Sequence, residues 1–109
     1  MTGLDIAWLE PWQPVSSERA TSLELALERE LSDGHVLRGR RAQAIAARSD
    51  SDDVLFLVRD PEAFAVVHLT RGRRQANPQW PFCMQFESVE GFIEGCMQPD
   101  HLEFIDTDD

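Results

Sequence analysis

His68 sits in FAVVHLT, within the most apolar part of the chain, and the second of two RGRR tetrapeptides begins three positions later. A catalytic histidine needs a proton donor or acceptor within hydrogen-bond reach and an orienting partner on its other ring nitrogen. Carboxylates are available for the second role, but the chain has no G-x-S-x-G elbow or other recognisable nucleophile motif. If FAVVHLT is a strand, Phe64, Val66, His68 and Thr70 share one side and Ala65, Val67 and Leu69 the other. The expected His68 is architectural, half-buried and bonded to a backbone carbonyl or a carboxylate. No catalytic residue is assigned.

The RGRR copies occupy 38–41 and 71–74 and flank the strand-forming part of the chain. If they meet at one end of a sheet, Arg38, Arg40, Arg41, Arg71, Arg73 and Arg74 form a cluster suited to a phosphate, a carboxylate or an acidic peptide. With His68 and Trp80 they make the candidate ligand-binding set. All ten basic residues are arginine, however, and the chain has neither lysine nor tyrosine, so each arginine carries less information than usual. Two polar loops paired with the protein's own acids are the competing reading.

Glu24 and Glu28 stand one helical turn apart, as do Glu90 and Glu94. Like charges at this spacing do not help an isolated helix, but they can steer a basic partner. These four are the candidate partner-binding residues, against the simpler role of a solvated face. His35, His68, His101, Cys83 and Cys96 show no close metal-ligand spacing. SDSDD resembles the start of a calcium loop, but Leu55 stands where the sixth-position glycine belongs and Pro61 replaces the twelfth-position glutamate, so a hairpin turn is expected. Neither metal nor cofactor is assigned. Trp8, Trp12 and Trp80 could make an aromatic platform, although side chains this large more often pack a core. Gly91 and Gly95 give a smooth stripe suited to close packing.

The elements that position these residues follow from two hydrophobic periods. Residues 1–15 read as an apolar arm, with Leu4, Ile6 and Trp8 alternating before Pro11, Trp12 and Pro14. From Ser16 to Leu31, Ala20, Leu23, Leu27 and Leu31 recur at helical steps with Ala26 beside them. Ser16 or Ser17 caps this helix and Asp33-Gly34 is expected to end it. Leu25 falls off its apolar face. RAQAIAAR (41–48), VLFLV (54–58), FAVVHLT (64–70) and a short segment from Cys83 to Phe86 read as strands joined by turn-rich links, which favours antiparallel neighbours. The central strands are apolar at odd and even positions alike, so both faces need cover. Ser88 opens a second helix through Val89, Phe92, Ile93, Cys96 and Met97, which Pro99 is expected to stop. Leu102, Phe104 and Ile105 are then available for docking, ahead of an acidic tail, 106–109, expected to fray.

These readings assemble into one α+β domain over 1–109: an antiparallel three- to four-stranded meander between an N-terminal and a C-terminal helix, in α-β-β-β-α order. The two helices are expected on one face of the sheet, with the tryptophan arm and the Trp80 loop over part of the other.

Across 109 residues the net charge is −10, unevenly spread. Residues 1–33 hold seven acids and two arginines, 34–82 five acids and eight arginines, and 83–109 eight acids and no base. This balance disfavours nucleic acid and points to a partner protein with a basic surface. No stretch reads as an export signal or a membrane span, and two cysteines outside any zinc or redox spacing are expected to be reduced thiols in a cytoplasmic protein.

The segments GHVLRG, DDVLF, AVVHLT and the W-P loop resemble an uncharacterised group of short bacterial proteins, a likeness that covers Gly34 to His101. That group often carries tryptophan after H-L-T, where this chain has Arg71. It has no established activity, so the likeness implies relatedness and supports the element boundaries alone.

The leading expectation is a non-catalytic protein-binding module, immunity- or antitoxin-like, whose acidic surface masks a basic protein. The alternative is a small enzyme or ligand-binding domain with a pocket near His68 and the RGRR loops. A homodimer through a sheet edge or the tryptophan arm is the third reading.

Overall fold

Helical and strand periods alternate along the chain as the hydrophobic pattern does. A computed structural model describes residues 6–59, 62–70, 81 and 83–106. In chain order these form β1 (Trp12–Pro14), α1 (Ser17–Glu30), β2 (Ala42–Arg48), β3 (Asp53–Val58), β4 (Ala63–His68), β5 (Cys83–Phe86), α2 (Val89–Phe92), a π-helical turn (Ile93–Met97) and α3 (Gln98–Asp106). The strands make one antiparallel sheet in the order β1-β2-β3-β4-β5. The architecture is thus α+β with helices towards both ends, and the sheet has five strands where three or four were expected. The extra edge strand comes from Trp12–Pro14 in the arm, which pairs with Ala46–Arg48.

Ser16 caps α1, its hydroxyl accepting the N–H of Arg19 at 3.2 Å. Leu23, Ala26, Leu27 and Leu31 are buried along one stripe. The stop differs from the expected glycine stop. Leu31 itself turns extended (φ −77°, ψ 124°), and the left-handed residue of this loop is Gly39, at φ 83° inside the first RGRR.

The double-sided apolarity of β3 and β4 decides the layering. Val54, Phe56, Val58, Ala65, Val67 and Leu69 pack under α1. Leu55, Leu57, Phe64 and Val66 pack instead with Phe92, Cys96 and Met97 of the C-terminal helices, and with Trp12. The helices therefore lie on opposite faces, contrary to the shared face expected, because each set of alternate side chains needs its own apolar cover. On the second face the arm adds Ile6, Trp8 and Leu9, partly buried, while its last residue, Val15, packs against the first.

A bulge adjusts β2 to this scheme. Ala44 opposes Phe56 and Ala46 opposes Leu55, so Ile45 is the extra residue. Ala44 and Ala47, three apart, consequently share α1's face, while Ile45 and Ala46 both turn to the other. Beside the bulge the N–H of Ala44 donates to Glu24 Oε2 at 2.9 Å, so α1 bonds the sheet as well as packing on it.

Ser88 caps α2 through the N–H of Gly91, but Pro99 does not end the helical run. The turn at Ile93–Met97 widens to a π-helix, with Gln98 N–H reaching back to Ile93 O, and Pro99 falls in the first turn of α3, where its missing N–H is least costly. The Gly91/Gly95 stripe accommodates Phe86: a Cβ added at Gly95 would come within 3.1 Å of that ring. Leu102 and Ile105 do not dock on the body; they are 61% and 48% exposed. Of the tail, Asp106 closes α3 and 107–109 lie outside the described residues.

Candidate functional site

Meander geometry places the sequence-predicted residues, and it separates several of them. His68 is the last residue of β4 and opposes Asp53, the first of β3. Its Nδ1–H donates to Asp53 Oδ1 at 2.8 Å. The carboxylate partner is the one an architectural histidine calls for. About half of its side chain, 52%, is exposed. The exposure follows from position, since His68 closes its strand beyond the reach of the apolar cover on that face.

Arg41 stands at the other end of β3, where its carbonyl accepts the N–H of Arg59 at 2.9 Å. Three strands run between the RGRR copies, and an odd number of antiparallel strands sends the chain out at the end opposite its entry. The first copy therefore lies at the end of the sheet opposite the exit from β4. Arg71, Arg73, Arg74 and Trp80 themselves lie outside the described residues.

Arg38, Arg40 and Arg41 instead face Glu24 and Glu28 across a groove of about 550 Å³ between α1 and residues 38–42. Arg38 donates to Leu31 O at 2.7 Å and lies 3.6 Å from Asp33. Arg40 donates to Arg59 O and to Gln85 Oε1. Glu24 is held by the N–H of Ala44. Glu90 and Glu94 are exposed on the opposite side of the sheet, on the C-terminal helical run.

A second polar cluster centres on Asp100, which sequence patterning did not single out. Its Oδ2 accepts Trp12 Nε1–H at 2.9 Å and Cys96 Sγ–H at 3.4 Å, and it lies 3.4 Å from Arg48. Arg48 also grips Asp50 with two bonds, 2.8 and 2.9 Å. That grip holds the Asp50 carboxyl below its ordinary range and raises the Arg48 guanidinium further. Burial, with the negative Asp100 beside it, pushes the Cys96 thiol up to about 12. A thiol so poised is a hydrogen-bond donor and not a nucleophile, so the cluster clamps β1, β2 and α3 together. Burial and the raised thiol together leave little reactive thiolate at pH 8. Iodoacetamide at that pH is thus expected to leave Cys96 unmodified in the folded protein and to label it in urea. Peptide mapping that finds equal labelling in both states would contradict this assignment.

Two further buried polar residues escaped the pattern. His35 is 5% exposed; its Nδ1 accepts the N–H of Leu37 at 3.0 Å, so Nε2 carries the proton that goes to Pro81 O at 2.8 Å. This neutral tautomer ties the loop after α1 to Pro81, two positions ahead of β5. Glu30 is fully buried and accepts both the N–H and the hydroxyl of Thr70 at 2.9 Å. The signal for Glu30 was present: 23, 26, 27 and 30 make one helical stripe, and a carboxylate on it must find donors. His35 lies in an irregular loop where no period exists to reveal burial. His101 Nδ1–H donates to Glu10 O at 2.7 Å, joining α3 to the arm.

Among the described residues, no three of His, Cys, Asp and Glu gather as a metal-binding group, and no helix is long and apolar enough to cross a membrane. Comparison with protein families, with curated proteins and with solved structures finds no match.

Proposed function

We propose that this protein is a non-catalytic binding module that engages a partner protein of basic surface through its C-terminal helical run. The observation that carries the reading is α3: a nine-residue helix with no buried residue, on which Leu102 and Ile105 are exposed beside the exposed acids Glu103 and Asp106. Glu90 and Glu94 extend the acidic surface towards the start of the run. Apolar side chains ringed by charge of one sign supply the two parts of a specific interface, a desolvated centre and a steering rim. The most polar interior groups are meanwhile committed to internal bonds, as Asp100, His35 and Glu30 are. An immunity- or antitoxin-like masking of a basic protein is the role this surface fits best.

Affinity capture from the native host is expected to recover a basic protein in stoichiometric amount with the wild-type chain. The double substitution Leu102→Asp, Ile105→Asp is expected to weaken that complex by at least about tenfold, as loss of a central apolar contact does. Glu90→Gln with Glu94→Gln is expected to slow association and flatten its salt dependence. Absence of any stoichiometric partner, or a complex indifferent to the double substitution, would sink the proposal.

A further inference from the structure

On the other side of the sheet, the groove between α1 and residues 38–42 has the volume of a small-molecule site, about 550 Å³. Its apolar side is formed by Leu27 and Leu31, both buried, with Leu25 at 58% exposure also in the lining. Leu25 is the one leucine of α1 that the helical stripe leaves out, and the groove gives it a surface to serve. The polar lining is mostly committed: Glu24 to the N–H of Ala44, Thr21 to Ser17 O, Arg38 to Leu31 O, Arg40 to Arg59 O and Gln85. Two charged groups differ. The side chains of Glu28 on α1 and Arg41 just ahead of β2 are both exposed and have no hydrogen-bond or ion-pair partner among the described residues, including each other. A second concavity, lined by Arg41, Ala42, Gln43, Leu57 and Arg59, shares Arg41 and Ala42 with the first.

We infer that this groove binds a short apolar peptide with both termini free, its ammonium group at Glu28, its carboxylate at Arg41 and its apolar side chains on Leu25, Leu27 and Leu31. One unpaired carboxylate and one unpaired guanidinium that do not reach each other match a ligand whose own opposite charges are separated along a chain. A guanidinium is the side chain best shaped to hold a carboxylate through two parallel bonds. The inference goes beyond the proposed C-terminal interface and uses none of its residues.

The test is an amide NMR titration of the full chain with the dipeptide Leu-Leu and with its acetylated, amidated counterpart. Saturable shifts at Leu25, Glu28, Gly39 and Arg41 are expected with the free dipeptide at submillimolar to millimolar concentration. The blocked dipeptide, lacking both charges, is expected to bind at least tenfold more weakly. Glu28→Gln and Arg41→Gln, both at exposed positions, are each expected to weaken binding about tenfold with the spectrum otherwise preserved, whereas the Leu102→Asp, Ile105→Asp variant should bind as wild type. Absence of saturable shifts, equal binding of the blocked dipeptide, or indifference to both groove substitutions would overturn the inference. None of those outcomes bears on the C-terminal interface.

Discussion

Trp12→Ala is expected to lower the unfolding free energy by about 3–5 kcal/mol, the range for removing a buried tryptophan. Trp12 is 1% exposed and packs edge-on to Phe92, with ring centroids 5.2 Å apart and planes at 87°. The substitution empties that volume where β1, the sheet and the C-terminal helices meet. It also removes the indole N–H from Asp100, leaving a carboxylate that Arg48 and Cys96 must satisfy alone. Trp12→Phe separates the two effects, since it keeps most of the ring and loses the donor. A hydrogen bond to a charged group is worth about 1.5–3 kcal/mol, so Phe is expected to recover roughly half of the loss. Urea unfolding followed by far-ultraviolet circular dichroism avoids reliance on tryptophan fluorescence, to which Trp12 contributes alongside Trp8 and Trp80. A loss below about 1 kcal/mol for Trp12→Ala would mean that the edge strand and its clamp are not integral to the fold.

Glu30→Ala is the second large effect, expected at roughly 3 kcal/mol because two charge-assisted bonds to Thr70 disappear from a fully buried position. Those bonds join the last turn of α1 to the chain leaving β4, forty positions later. Glu30→Gln keeps an oxygen acceptor for Thr70 while removing the charge, and it is expected to cost about half as much. Thr70→Val, which removes the hydroxyl and keeps the backbone donor, is expected to fall near the same value. Equal losses for Glu30→Gln and Glu30→Ala would assign the stabilisation to the charge itself and not to the bonds with Thr70. Trp12 is the larger of the two because its burial and its hydrogen bond are lost together.

The local elements were legible because each rests on a period or a cap. The apolar stripe of α1, its Ser16 cap, the Ser88 cap and the Cys83–Phe86 strand all stand where the pattern places them. The differences arise where distant atoms decide. Pro99 reads as a stop because a regular α-helix cannot carry it, yet one π-turn ahead of it relieves the conflict. Gly34 reads as a terminator, but Leu31 leaves the helix first and Gly39 takes the left-handed turn. Of the candidate ligand residues, Arg38, Arg40 and Arg41 come together with Glu24 and Glu28, a pairing the sequence does not announce, while His68 goes to the other end of the sheet.

The hydrophobic pattern alone determined that β3 and β4 are covered on both faces, since apolar residues at every position leave no side for water. It could not determine which helix covers which face. A helical stripe records only that something apolar opposes it, and both stripes suit either face equally. Tertiary structure made that choice, by the bulge at Ile45 and by the Trp12–Asp100 clamp that draws α3 onto the arm's side. The same choice decided what His68 and the arginines could become. Strand direction and the number of strands set which chain ends meet, and side-chain chemistry has no part in that count.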